Sequence, residues 1–361
     1  MNDKSVFSFI FLSLIYLFCT TIYYNYEESL IYGAADGASY IEISKNSPFF
    51  AEDELRKIHA QRFLIPYLIG LISKIIYLDI YSIYRLLNFF LIFFSLYILI
   101  KIFKISKIDN ITIIIALSLI IFNPYLFRYF LSLPTLINDF FFIFSSLLII
   151  FGIKTNNKNI SYVGFALSII ARQTGIMFLI SVLILKMKYK NNFFFSNFDL
   201  LKIVIIYLLI ISLNNHYALQ VSSYNAFDLR AINGIFFYLK DSFDLKETIL
   251  FFSYFLFSYL PLLIFFSLRK INKKYDKYLF IYICISILLI FLQPILAGPE
   301  IAGKNIIRLT NLAYFIVIIL FSLFYNFKNI SFSKNILYIF ILGSLVWSLH
   351  PTYNSLFNLI D

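Results

Sequence analysis

Residues 81–107 read YSIYRLLNFFLIFFSLYILIKIFKISK, a long apolar run that closes on Lys101, Lys104 and Lys107. A helix needs about 20 mostly apolar residues to cross the hydrocarbon core of a bilayer, so this stretch reads as a transmembrane span with a basic end. The pattern recurs on both sides of it. Apolar segments fall at roughly 5–25, 62–79, 81–103, 111–131, 137–153, 160–186, 200–217, 247–268, 278–296, 309–326 and 335–350. The chain is 61% hydrophobic and 14% charged, against about 45–50% and about 25% in soluble domains. The expectation is an all-α, polytopic transmembrane bundle of about eleven spans. It forms one integral membrane unit over residues 1–361, because no polar segment is long enough for a separate soluble domain.

Charge sets the expected topology. Further basic clusters stand at Lys154/Lys158, Lys186/Lys188/Lys190, Arg269/Lys270/Lys273/Lys274/Lys277 and Lys328/Lys334. The positive-inside rule puts these and Lys4 in the cytoplasm. Simple alternation then fails twice. The segment 62–79 is short and holds Pro66, Gly70 and Lys74, so it reads as re-entrant or interfacial. The segment 160–186 is too long for one span and carries Arg172 at its middle. An arginine at the centre of a spanning helix costs about 2.5–3.5 kcal/mol on the insertion scale, and two short helices meeting at Arg172 remove that cost. With both corrections only Asp3, Asp109, Asp199 and Asp276 of the 19 acidic residues lie on the cytoplasmic side. The polar chemistry falls outside, in loops at about 26–61, 218–246 and 297–308, together with His59, His216 and His350.

The net charge of +11 invites a nucleic-acid reading. The lysines sit in short interspan loops, where they orient helices and attract anionic headgroups, so that reading fails. Cys19 and Cys284 lie inside apolar runs and read as small core residues rather than a disulfide or metal framework. The first apolar run lacks a small-residue cleavage site and reads as a retained helix. No Gly-rich phosphate loop, CxxC, HExxH or GxSxG occurs, so the usual sequence signs of a nucleotide site are missing.

Candidate site residues come from the outer face. The first loop contains IYGAADGASYIEIS at 31–44. Asp36 and Tyr40, four apart, share one face of a helix begun there; Asp36 serves equally as a helix cap. Glu52, Asp53 and Glu54 read as a solvated face. His59 and Gln61 follow, and then Arg62, which borders an apolar segment and calls for an anionic partner, either a lipid phosphate or a carboxylate. In NPYLFRYFLSLPTLINDF, 123–140, Asp139 opens a helix at membrane depth. A group of that kind is a functional candidate, or else a helix-start carboxylate favoured by the dipole. Thr135 and Asn138 offer better capping positions, and Arg128 is either its partner or snorkels outward. SIIARQTGI, 168–176, sets Arg172 between two short helices, as a pocket residue or as a hub for helix ends. QPILAGPEIAGKNIIRLTNLAYF, 293–315, puts Glu300 and Arg308 on a Gly/Pro-rich outer loop, where they also fit a salt bridge across two turns. Arg62, Arg172 and Arg308 together would make a cationic phosphate pocket.

The order of these features resembles the GT-C superfamily of polytopic glycosyltransferases. The resemblance runs from about residue 5 to 325. It rests on Asp36, Tyr40 and Ser44 in D-x-x-x-Y-x-x-x-S, Arg62 and Pro66 in QRFLIPYLIGLISK, Asp139 at a helix start, ARQTG around Arg172, and Glu300 with Arg308 before a late span. The first loop has the single Asp36 at the place where some members have an acidic pair, and the sequence to residue 361 includes no soluble C-terminal domain of the kind some members carry. The resemblance implies an enzyme of a bacterial cytoplasmic membrane with a cytoplasmic N-terminus. It would take a hexose or pentose from a polyprenyl-phosphate donor at the outer leaflet and pass it to a lipid, glycan or protein acceptor. Asp36 would be the general base. Tyr40, His59, Arg62, Asp139, Arg172, Glu300 and Arg308 would bind substrate, with a divalent cation left open as a helper. Two other classes compete. A transporter or flippase of lipid-linked glycan would need polar groups reachable from both faces and would commonly show inverted repeats, which are not evident. An O-antigen-type polymerase or ligase would share the outer arginines but use a larger late loop.

Overall fold

The computed structural model describes residues 3–23, 35–189, 194–222, 270–271, 276–302, 306–326 and 334–348, with scattered positions between 249 and 262. The regular elements among the described residues are helices apart from one two-residue antiparallel pairing, Lys270–Ile271 with Tyr325–Asn326. In chain order the helices are α1 (Asp3–Tyr23), α2 (Ala35–Asn46), α3 (Lys57–Ala60), α4 (Leu64–Ile76), α5 (Ile80–Ile105), α6 (Asn110–Ile121), α7 (Phe127–Ser132), α8 (Ile137–Lys154), α9 (Lys158–Ala171), α10 (Ile176–Tyr189), α11 (Asn197–Val221), α12 (Lys277–Ala302), α13 (Ile306–Asn311), α14 (Tyr314–Phe324) and α15 (Lys334–Ser348). Short 3-10 turns at Pro134–Leu136 and Gln173–Gly175 precede α8 and α10.

Among the described residues five stretches are long and apolar enough to cross a membrane: Lys4–Thr21, Ile80–Ile105, Pro134–Lys154, Asn197–Val221 and Lys277–Leu296. The side-chain pattern agrees with a multi-pass membrane protein. On α5 the stripe Leu86, Phe89, Phe90, Phe93, Phe94 and Tyr97 is exposed, while Tyr84, Asn88 and Ser95 are buried. On α11 Leu201, Ile205, Leu208, Leu209 and Leu213 are exposed, while Asn214 and Tyr217 are buried. An apolar face turned outward over a polar seam inverts the soluble pattern; it suits a hydrocarbon solvent.

Contacts group the chain into two compact units. The first comprises Met1–Tyr24, Leu99–Tyr129 and Asp228–Asp361; the second comprises Asn25–Ile98 and Phe130–Phe227. In the first unit α1 packs on α6, and Tyr16 meets Ser348 Oγ at 2.8 Å. Arg128 Nη2 donates to Thr20 Oγ1 at 2.7 Å. Tyr259 OH donates to the carbonyl of Thr310 at 2.7 Å, and Phe127 lies against Phe315. The apolar run 111–131 is not one helix. Pro124 has no N–H to continue a ladder, and the Asn123 side chain accepts from Tyr125 N at 2.9 Å, so the chain turns between α6 and α7. Cys19 lies on an exposed face of α1 rather than in a core, and Cys284 is half-buried.

In the second unit α8 and α9 form a tight antiparallel hairpin. Gly164 permits it, since a Cβ there would lie 2.9 Å from the Ser145 carbonyl oxygen. The segment 160–186 breaks as expected. Arg172 is extended (φ −154°, ψ 142°) between α9 and the turn leading into α10. Tyr207 of α11 secures the break. Its hydroxyl donates to the Gly175 carbonyl at 2.8 Å and meets Ser168 Oγ at 2.9 Å. The 13-residue α4 is about 20 Å long at 1.5 Å per residue, short of a bilayer core of about 30 Å.

Candidate functional site

Six of the residues nominated from sequence stand together in the second unit: Asp36, Tyr40, His59, Arg62, Asp139 and Arg172. Helix α2 delivers the first two. Asp36 lies in its first turn and Tyr40 one turn later, fully buried. Ser44, one turn further, fixes the helix. Its Oγ lies 2.8 Å from the Pro66 carbonyl and 3.0 Å from Tyr84 OH. The three positions of D-x-x-x-Y-x-x-x-S thus form one inward stripe at helical spacing. The loop from 47 to 55 then carries the chain to α3, which places His59 and, just beyond, Arg62.

The Asp36 carboxylate is 2.9 Å from His59 Nε2. On the far side of the ring His59 Nδ1 is 2.9 Å from Ser39 Oγ. Asp36 therefore sits in the helix's first turn with its carboxylate committed to an imidazole.

Arg62 is the hub. It is buried, with Nε donating to Gln173 Oε1 at 3.0 Å and Nη1 to Tyr40 OH at 3.4 Å. Burial works against its charge, but Tyr40, Asp36 and Asp139 outweigh that and hold the guanidinium above its ordinary pKa. Its anionic partners are therefore protein carboxylates within electrostatic reach. The backbone is held too, since Asn138 Nδ2 donates to the Arg62 carbonyl at 3.2 Å.

Asp139 pairs with Arg172 Nη1, and both side chains are almost wholly buried. The capping expected of Thr135 and Asn138 is not found. Pro134 opens a 3-10 turn, α8 starts at Ile137, and its cap residue Leu136 makes no side-chain cap bond. Asn138 instead ties α8 to Arg62. Gln173 bridges the halves of the site. Its Nε2 donates to Gln61 Oε1 at 3.2 Å, and Gln61 Nε2 donates to Asn215 Oδ1 at 2.7 Å. Gln173, Asn138 and Ser39 were not singled out as site residues from sequence. Their only signal was proximity to Arg172, Asp139 and Asp36.

Beside this cluster lies an apolar cleft of about 270 Å³ bounded by Pro48, Phe50, Phe63, Tyr67 and Tyr217, with exposed His216 on its lining. Phe63 and Tyr217 stack at 4.0 Å, 3° from parallel. The tyrosine hydroxyls of the lining are already engaged. Tyr67 OH donates to the Pro48 carbonyl, and Tyr217 OH accepts from Ala51 N. The cleft thus offers hydrocarbon-compatible surface rather than hydrogen bonds. Glu52, Asp53 and Glu54 are exposed, as a solvated face should be.

Arg308 belongs to the first unit, half-buried in α13. The side chain of Glu300, all of His350 and most of the loop 218–246 lie outside the described residues. Among the described residues no group of three or more His, Cys, Asp or Glu side chains stands close enough to hold a metal ion. No family model, no curated protein and no solved structure matches this chain.

Chemically, the second-unit cluster pairs two carboxylates of different setting. Asp139 is sealed by an arginine. Asp36 retains 20% side-chain exposure and a hydrogen-bonded imidazole. A sealed carboxylate serves structure and orientation; a partly open one can take a proton from a substrate hydroxyl.

Proposed function

We propose that the protein is a membrane glycosyltransferase of GT-C type. It moves a sugar from a polyprenyl-phosphate donor to a lipid, glycan or protein acceptor at the outer face of a bacterial cytoplasmic membrane. In this reading the chain crosses the membrane about eleven times, starts in the cytoplasm, and presents α2, α3 and the Arg172 turn to the outer side. The observation that carries the reading is the seating of Arg62, a buried guanidinium within electrostatic reach of both Asp36 and Asp139. It gives one cation close to a partly open carboxylate, the pairing that direct displacement at an anomeric carbon needs. Asp36 takes the acceptor's proton as the new bond forms. Arg62 stabilises negative charge gathering on the departing lipid phosphate, and the buried Arg172–Asp139 pair holds the structure behind Arg62 in place. Tyr40 and His59 hold Arg62 and Asp36 in register. The aromatic cleft accommodates part of an isoprenoid chain.

The test is Asp36→Asn in membranes supplied with radiolabelled polyprenyl-phosphate sugars. Loss of a positioned general base typically costs about 10²–10⁴-fold, and transfer should fall within that range. Transfer at the wild-type rate by a mutant expressed to the same level removes Asp36 from the mechanism.

A further inference from the structure

Ser39 is the member of the site to which sugar transfer gives no role. Ser39, His59 and Asp36 form a continuous hydrogen-bonded chain, with Ser39 Oγ at 2.9 Å from Nδ1 and Asp36 Oδ1 at 2.9 Å from Nε2. An ionised carboxylate only accepts hydrogen bonds. In the neutral imidazole the proton is therefore on Nε2, directed at Asp36, and Nδ1 carries the lone pair. The Ser39 hydroxyl must then donate to Nδ1. That is the arrangement of a nucleophile, its base and the group that orients the base, with the two ring nitrogens exchanged relative to the familiar triad.

The surroundings suit the assignment. His59 is buried while Ser39 is partly exposed, so the base is sheltered and the nucleophile reachable. The exposed Ala38 precedes Ser39 on the helix. The Arg62 cation lies within electrostatic reach of Asp36 and Tyr40. It also sets positive charge beside the helix on which an anionic intermediate would form. A histidine kept only for packing would be satisfied equally by backbone groups; here both nitrogens are spent on side chains three apart on one helix face.

We propose that Ser39 is the nucleophile of a second, acyl-transfer activity directed at carboxylic esters. Ser39 Oγ bonds to the ester carbonyl carbon, and its proton passes to His59 Nδ1. The C–O bond of the ester breaks, and the leaving alcohol takes that proton from His59. The acyl-serine is then released by water or a second hydroxyl, whose proton again passes to His59 and on to Ser39 Oγ. No oxidant or reductant enters. Asp36 in this chemistry orients His59 and stabilises the imidazolium.

The experiment uses the full chain in nanodiscs and a fluorescent fluorophosphonate. This probe replaces its P–F bond with an O–P bond to an activated serine and releases fluoride. The expected result is a covalent adduct mapped by mass spectrometry to Ser39 and absent in Ser39→Ala. In His59→Gln the labelling rate should fall at least about 10²-fold. A folded wild-type protein with no adduct on Ser39 overturns the proposal, and so does undiminished labelling of folded His59→Gln. The wild-type map decides the matter even if the His59 variant fails to fold. No sugar donor is present, so a negative result here leaves the outcome of the Asp36→Asn transfer assay standing on its own.

Discussion

Replacing Asp139 by Asn should be among the most damaging single changes in the second unit. The Asp139 and Arg172 side chains are 1% and 4% exposed and form an ion pair. Removing one charge strands the other where water cannot reach it, and breaking a buried pair in this way costs about 3–5 kcal/mol. At 1.36 kcal/mol per tenfold, the folded-to-unfolded ratio should drop by about two to four powers of ten. Removing both partners behaves differently, because no uncompensated charge remains. The double variant Asp139→Leu/Arg172→Met should therefore recover most of the loss. Recovery should fall short of complete, since Asp139 also interacts with Arg62, which would lose one of the carboxylates within its electrostatic reach. Reversible unfolding in mixed detergent–SDS micelles reports these free energies, and a double-mutant cycle isolates the coupling. A loss below about 1 kcal/mol for Asp139→Asn, in the range of exposed pairs, would refute the argument. So would a double variant no better than the single ones.

Four other substitutions probe separate parts of the structure. Gly70→Ala would bring a Cβ to 2.0 Å from the Ser44 carbonyl oxygen; α2 and α4 must part, overpacking typically costs about 1–3 kcal/mol, and a thermal melt of the purified protein should show it. At the start of α11, Lys158→Met removes a partner of Asp199 at 2.6 Å whose side chain is 40% exposed, and should cost at most about 1 kcal/mol. Asp199→Ala should cost more, since it also breaks a reciprocal cap with Ser196 and the hydrogen bond from Tyr162; ranking the two by SDS midpoint checks the order. Phe93→Asp, in the exposed stripe of α5, should lower membrane insertion in a glycosylation-reporter assay, because aspartate near mid-span carries about 2.5–3.5 kcal/mol; insertion equal to wild type would mean that this stripe does not face lipid.

Much of the helical layout was legible because the bilayer imposes a coarse rule on sequence. Long apolar runs had to be helices, and an arginine amid one of them had to sit at a break, so the turn at 172–175 could be read in advance. The break at Asn123–Pro124 had an equally plain local signal, but the continuous hydrophobicity around it masked the turn. The site was legible only in part. Asp36, Tyr40 and Ser44 share a helix face, which spacing reveals. The bonds that make Arg62 a hub join residues 111 and 76 positions apart, and no periodicity encodes them. The capping roles of Thr135 and Asn138 failed because Pro134 opens a 3-10 turn and so shifts where the helix begins. The imidazole between Ser39 and Asp36 depends on the path of the loop at 47–55, which composition does not specify.

Helix α11 touches the site at both ends of its C-terminal half. Tyr207 grips the turn after Arg172; two to three turns later Asn215 holds Gln61 and Tyr217 stacks on Phe63. A single rigid rod thus splints the two arms that carry the guanidinium groups. Anything wedged beside Tyr217 would lever the rod and transmit its tilt to the Arg172 bend, so occupancy of the greasy slot and alignment of the charged groups are mechanically geared together.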